Sequence, residues 1–222
     1  MKDTIKKMKL NVDLSGFKIV AKTVFTNGKR LLDGMIDAYN NVTQLNPADA
    51  IDIYIAAGDK MRQNGDYEGA IRSYKKVLEV DSTHLETLMK LGKAYVSVGL
   101  PNEAIEMLSR AAVLNRSDAQ CFYHLGSSYY MIDEYAKAVT SFNESIKLDP
   151  SFAEAYYKLG LVHDSLSEFD KSIEAYQHAI SLNPNFIKAY QSIGLAYEGR
   201  GQREEALKYF KKALELEGKG FK

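Results

Sequence analysis

Cys121 and His124 stand three residues apart, the one place where a thiol and an imidazole share a helical face in this sequence. Such a pair can activate a thiolate or begin a metal site, because imidazole accepts the thiol proton and both side chains ligate zinc. Two ligands do not complete a tetrahedral site, and His84, His163 and His178 fall at unrelated places in the sequence pattern. There is also no glycine-rich phosphate loop, no H-E-x-x-H and no Ser, His and Asp spacing that supports nucleophilic catalysis. Cys121 therefore reads as a small packing residue and His124 as a helix-face histidine. The expectation is a non-enzyme with no catalytic, metal or cofactor site.

The elements that carry these residues belong to a repeat. Gly58, Gly92, Gly126, Gly160 and Gly194 are spaced 34 residues apart, each inside a helical pattern where glycine costs about 1 kcal/mol relative to alanine. Frames 51–84, 85–118, 119–152, 153–186 and 187–220 place every glycine at position 8 without a gap. Position 4 is then Tyr54, Leu88, Phe122, Tyr156 and Tyr190, and position 7 is Ala57, Leu91, Leu125, Leu159 and Ile193. Small residues fill position 20 (Ala70, Ala104, Ala138, Ser172, Ala206), whereas large ones fill position 24 (Tyr74, Leu108, Phe142, Tyr176, Phe210). Two antiparallel helices approach closely only where one side is small. Glycine at 8 and alanine at 20 are expected to make that contact, with the large residues packed around it.

This column set resembles the tetratricopeptide repeat, whose L-G, A-x3-F and P pattern it follows over 170 of 222 residues. Aromatic residues or leucine replace Trp at position 4, Met61 and His163 replace Tyr at position 11, and only Pro150 and Pro184 keep the proline at 32. The resemblance implies an all-α chain, a right-handed α-solenoid of helix-turn-helix repeats over 51–222.

Composition is consistent with that class. The 222 residues are 45% hydrophobic, enough for a continuous core between stacked repeats. One cysteine excludes an intramolecular disulfide framework and agrees with a reducing compartment. No apolar run reaches the roughly 18 residues of a membrane span, and Lys18 and Lys22 interrupt the N-terminal apolar stretch, against a secretory signal. Cytoplasmic placement is the expectation. Net charge is zero, but residues 1–50 carry 8 Lys+Arg against 5 Asp+Glu and residues 51–222 carry 21 against 24. The first 30 residues hold 8 against 2. This local surplus, with no basic stripe on the repeats, argues against nucleic acid as a partner.

The N-terminal fifty residues split into a basic arm, 1–15, and a degenerate repeat-like helix pair, 16–50. With Pro47 at position 32, Met35, Tyr39, Val42 and Leu45 occupy the second-helix columns, but Lys22 and Thr23 stand where the first helix needs a large residue and glycine.

In a tetratricopeptide stack the first helices line a concave groove through positions 2, 5, 9 and 12, so the resemblance implies a partner-binding set. Position 5 supplies Ile55, Met89, Tyr123, Tyr157 and Gln191, and position 9 supplies Asp59, Lys93, Ser127 and Leu161. Asp52, Glu86 and Glu154 come from position 2, Tyr130 and Asp164 from position 12. The centre reads as apolar and aromatic with a rim in which carboxylates outnumber cations, suited to a segment with hydrophobic anchors and some lysines. No Lys-Asn pair occupies positions 5 and 9, which disfavours the chaperone-tail binding of some family members.

Within the family, "KLGLVHDSLSEFDKSIEAYQHAISLNPN", the final repeat and the overall length resemble the magnetosome-associated members of magnetotactic bacteria. That likeness implies a homo-oligomer on the cytoplasmic face of the magnetosome vesicle that recruits other magnetosome proteins, in peripheral or indirect contact with the membrane. Phe17, Val20 and Val24, with Lys18 and Lys22 between them, are a matching ligand for the groove of an identical chain. Head-to-tail contact of this kind forms rings or filaments. The competing expectations are a monomeric adaptor for a foreign peptide and a protein whose basic, partly amphipathic N-terminus lies on anionic lipid.

Overall fold

The computed structural model describes residues 46–219. Among them are ten helices: α1 Pro47–Gln63, α2 Tyr67–Val80, α3 Leu85–Ser97, α4 Pro101–Leu114, α5 Ala119–Met131, α6 Tyr135–Leu148, α7 Ala153–Ser165, α8 Phe169–Leu182, α9 Ile187–Gly199 and α10 Arg203–Lys219. The basic arm, most of the degenerate pair and the residues Phe17, Lys18, Val20, Lys22 and Val24 lie outside the described residues.

The chain divides into two compact units, Met1–Ile53 and Tyr54–Lys222. Of the first, only its last residues are described. There α1 opens with Pro at its first position, where a missing N–H costs nothing, and Asn46 Oδ1 accepts from the Ala48 N–H at 3.3 Å.

The second unit is a solenoid of helical repeats. From α3 on, each first helix packs on its own second helix, each second helix from α2 on packs on the next first helix, and α3, α5, α7 and α9 neighbour one another in turn; α1 meets α2 where Gly58 faces Tyr74. Within every repeat the hairpin turn has the same backbone. Position 15 is left-handed in Gly65 (φ 77°), Gly99 (75°), Asp133 (60°), Ser167 (57°) and Gly201 (77°). The N–H of the following residue then bonds back five residues, from Asp66 to Met61 and likewise from Leu100, Glu134, Glu168 and Gln202 to Tyr95, Tyr129, His163 and Tyr197. This six-to-one bond closes the last carbonyls of the first helix. Between repeats, Asp81, Asn115, Asp149 and Asn183 leave the helix in an extended conformation. Their side chains accept the N–H two residues on at 2.9–3.1 Å, an Asx turn that aims the chain into the next first helix.

The helix-pair contact differs from the expected one. A Cβ at Gly92 would stand 2.6 Å from Leu108 Cγ and one at Gly126 would stand 2.9 Å from Phe142 Cδ1; Gly58, Gly160 and Gly194 face Tyr74, Tyr176 and Phe210 in the same way. The glycine at position 8 makes room for the large side chain at position 24, not for the alanine at 20. A large side chain laid across a helix backbone fills more space than a methyl group could, and Tyr74, Phe142, Tyr176 and Leu108 are fully buried. The position-20 residues are also buried, and Ala138 shares a cluster with Phe142 and Val162.

Candidate partner-binding site

Because the position-24 ring crosses the first helix over glycine, a tyrosine there carries its hydroxyl toward the far face of that helix. Tyr74 Oη donates to Asp59 Oδ1 at 2.7 Å, and Tyr176 Oη donates to Asp164 Oδ2 at 2.6 Å. Asp59 is at position 9 and Asp164 at position 12, one turn apart on the same face, and these are the only Asp residues in those two columns. Repeats with Leu108, Phe142 or Phe210 at position 24 have no hydroxyl to satisfy and carry no Asp there. Burial, then the bond to Asp, raises the pKa of both tyrosines, so they act as permanent donors. Burial alone would raise the pKa of Asp59, but hydrogen bonds from Lys90 and Tyr74 outweigh it and hold the carboxyl below 3.8.

Two carboxylates assigned to the ligand are therefore internal partners, and a third follows. Lys90 Nζ bridges Asp59 Oδ2 at 2.5 Å and Glu86 Oε1 at 2.8 Å. Gln191 is exposed but donates to Glu217 Oε1 of α10 at 2.9 Å. Lys93 Nζ donates to Gln120 Oε1 at 2.9 Å, linking α3 to α5. Asp52 and Glu154 are exposed. The expected excess of free carboxylates along the first helices is not what the pairs leave over.

The apolar column is half closed. Met89 is buried, while Ile55, Leu161 and Tyr130 are half-buried. Tyr123 and Tyr157 are also half-buried, each leaning on the aromatic residue that begins the next first helix. Ring centroids are 4.9 Å apart for Tyr123 and Phe152 and 4.8 Å for Tyr157 and Phe186. Second rings, Phe142 at 6.0 Å and Tyr176 at 5.6 Å, back them from beneath. The two tyrosines therefore present fixed, part-exposed edges on successive repeats, the type of rigid aromatic surface that partner side chains use as an anchor. Ser127 is buried and donates to the Tyr123 carbonyl at 3.0 Å, and the Tyr130 and Ser165 hydroxyls meet at 3.2 Å across α5 and α7.

Column 6 was missed by the sequence reading: Lys90, His124 and Lys158 stand there in successive repeats, flanked by Ala56 and Ser192. Charged or imidazole side chains at one register in three neighbouring units were the available signal. Burial, then Lys93, holds the His124 pKa down to about 4, so the ring is neutral at neutral pH.

The thiol and imidazole that share this helix do not work together. Cys121 is fully buried, donates to the Leu108 carbonyl at 3.3 Å, and burial pushes its pKa up to about 12. A neutral, bonded thiol is neither nucleophile nor ligand. Among the described residues no group of three or more His, Cys, Asp or Glu side chains is placed to hold a metal ion.

Comparison with known proteins finds tetratricopeptide repeats in this chain. The family described as tetratricopeptide repeat matches residues 153–186 and 187–219, a second TPR repeat description matches 133–167, and one for anaphase-promoting complex, cyclosome, subunit 3 matches 63–145. A curated relative, "Protein CTR9 homolog" of Arabidopsis thaliana, is 34% identical over 80 residues, and the chain spans only 7% of its length. Among solved structures, one titled "Crystal structure of MamA protein" is 56% identical with a TM-score of 0.71, covering 78% of this chain and 94% of that one. A second MamA crystal structure is 58% identical with a TM-score of 0.70, covering 73% and 95%. "MamA 41-end from Desulfovibrio magneticus RS-1" is 27% identical with a TM-score of 0.72, covering 77% and 97%. With more than half of the aligned residues shared across nearly the whole of two such structures, and with the repeat geometry in place, the chain belongs to the MamA family of tetratricopeptide-repeat proteins.

Proposed function

We propose that this protein is a non-enzymatic scaffold that self-assembles and recruits partner proteins to the magnetosome membrane surface. The observation that carries the reading is the 56% identity to a MamA structure, together with first helices that offer Tyr123 and Tyr157 as part-exposed anchors. Self-assembly runs through residues 1–50. Phe17, Val20 and Val24 are its apolar anchors, and Lys18 and Lys22 set its salt dependence. Since Asp59, Glu86 and Asp164 are engaged within the chain, the lysines have Glu154 as a remaining acceptor on the first helices, and the apolar anchors carry most of the affinity. Other magnetosome proteins bind the first-helix wall of the repeats. No helix among the described residues is long and apolar enough to cross a membrane, which is compatible with peripheral attachment on the cytoplasmic side.

Light-scattering mass over a concentration and salt series tests this, on the full chain and on a chain starting at Ile51. Large species are expected for the full chain and lost on truncation, with helical content per residue preserved. Monomers in both cases would overturn the scaffold and leave an adaptor for a foreign segment.

A further inference from the structure

Lys90 and Lys158 occupy the same position in repeats two apart, and their surroundings are opposite. Lys90 is compensated by Asp59, the position-9 residue of the preceding repeat, and by Glu86 on its own helix. Before Lys158 the corresponding position-9 residue is Ser127, whose hydroxyl is spent on the Tyr123 carbonyl. Glu154, one turn before Lys158 on α7, is exposed and forms no ion pair with it. The Lys158 side chain makes no hydrogen bond or ion pair with any described residue although it is half-buried. The charge acting on it is Lys188 on α9, of like sign.

The two ammonium groups respond accordingly. Burial, then Lys188, pulls the Lys158 pKa below 10.5. At Lys90 burial acts the same way but the bonds to Asp59 and Glu86 outweigh it, and the pKa rises. Lys93 on α3 resembles Lys158: burial lowers its pKa, its acceptor is the neutral amide of Gln120, and the pull of Asp118 is opposed by Arg62. A half-buried cation with no carboxylate bears its desolvation cost uncompensated, and a carboxylate seated beside it recovers that cost.

We propose that the first-helix wall of repeats two to five binds an acidic, partly apolar segment of a partner protein, whose carboxylates pair with Lys158 and Lys93 while its apolar side chains rest on Tyr123 and Tyr157. The Lys90–Asp59 pair is the internal precedent for the contact. This rests on the reading of that wall as the partner site, and it names the chemistry of the partner. The first 30 residues of the chain, with 8 Lys+Arg against 2 Asp+Glu, do not supply such a segment.

The test is fluorescence anisotropy with the full chain and a short labelled peptide of alternating Leu and Glu, beside the same peptide with Gln in place of Glu. The Glu peptide is expected to bind at least tenfold more tightly at low salt, with the advantage shrinking as ionic strength rises. Lys158→Gln removes most of that preference. Ser127→Asp, which sets a carboxylate where Asp59 stands relative to Lys90, removes it from the other side by occupying the ammonium internally. Equal affinity for the two peptides overturns the charge inference and leaves the wall as a partner site. No binding of either overturns the inference together with that site, and a Glu preference unchanged in both variants overturns the assignment to Lys158.

Discussion

Replacing Gly160 by alanine should cost far more than the same change at Gly92, although both glycines hold position 8 and both face a buried position-24 side chain. At Gly160 the new methyl would meet the Tyr176 ring, with Cζ at 2.9 Å and two further ring carbons closer. Ordinary carbon contacts lie at about 3.5–4.0 Å, so the ring must retreat by roughly 1 Å or more. Tyr176 is fully buried and its hydroxyl is tied to Asp164 at 2.6 Å, so the retreat strains the packing and the hydrogen bond together. Overpacking costs about 1–3 kcal/mol, and a hydrogen bond to a charged acceptor is worth about 1.5–3 kcal/mol when lost outright. Alanine returns about 1 kcal/mol of helix propensity. The net is a loss of about 2–4 kcal/mol for Gly160→Ala. At Gly92 the methyl meets Leu108 Cγ at 2.6 Å and Cδ2 at 2.8 Å, a branched chain with other rotamers and no polar tether, and the net falls to about 0–2 kcal/mol. Urea unfolding followed by circular dichroism measures both. In a Tyr176→Leu background, which copies the Gly92–Leu108 pair, the cost of Gly160→Ala should drop to the Gly92 value. If Gly160→Ala proves no more destabilising than Gly92→Ala, the assignment of glycine as the seat of the position-24 side chain is wrong.

Two further measurements follow from local geometry. His124 has a folded pKa of about 4 against 6.5 for the free side chain, so the unfolded chain binds its proton first as pH falls. Stability contributed by the neutral ring is complete above pH 6.5 and is lost between 6.5 and about 4, by at most about 3 kcal/mol at 1.36 kcal/mol per unit; His124→Gln should flatten that part of the stability-against-pH curve. Ser167 holds φ at 57° in a turn where Gly65, Gly99 and Gly201 do so without a Cβ, so Ser167→Gly should raise the melting temperature, by about 1 kcal/mol in stability terms.

The repeat was legible because its signal is periodic: five glycines at one spacing define the frame, and the apolar columns follow from it. The hairpin turn was less legible. Its left-handed residue is glycine in three repeats but Asp133 and Ser167 in two, and only the backbone reveals that all five share one conformation. The same limit explains the interhelical contact. Periodicity identifies which columns are small and which are large, but not which pairs meet, and the pairing of position 8 with 24 depends on the crossing of the helices. The N-terminal fifty residues break the column pattern at Lys22 and Thr23, so the repeat period does not specify a first helix there.

The charge of the candidate site was misjudged for a related reason. A column count treats every carboxylate on the first helices as available to a ligand, yet Asp59 and Asp164 occur only in the repeats whose position 24 is tyrosine. Glycine lets the ring cross the helix, the ring carries a hydroxyl to the opposite face, and a buried hydroxyl needs an acceptor. One packing decision at position 8 therefore consumes a carboxylate on the surface that was taken to bind partners. Glu86 and Asp59 together neutralise Lys90, whereas Lys93 and Lys158 have no carboxylate partner among the described residues. Subtracting those pairs removes the carboxylate excess that a column count suggests: Glu154 and Glu198 stay exposed while Lys93 and Lys158 are half-buried, so the charge on the first helices is what internal packing leaves behind.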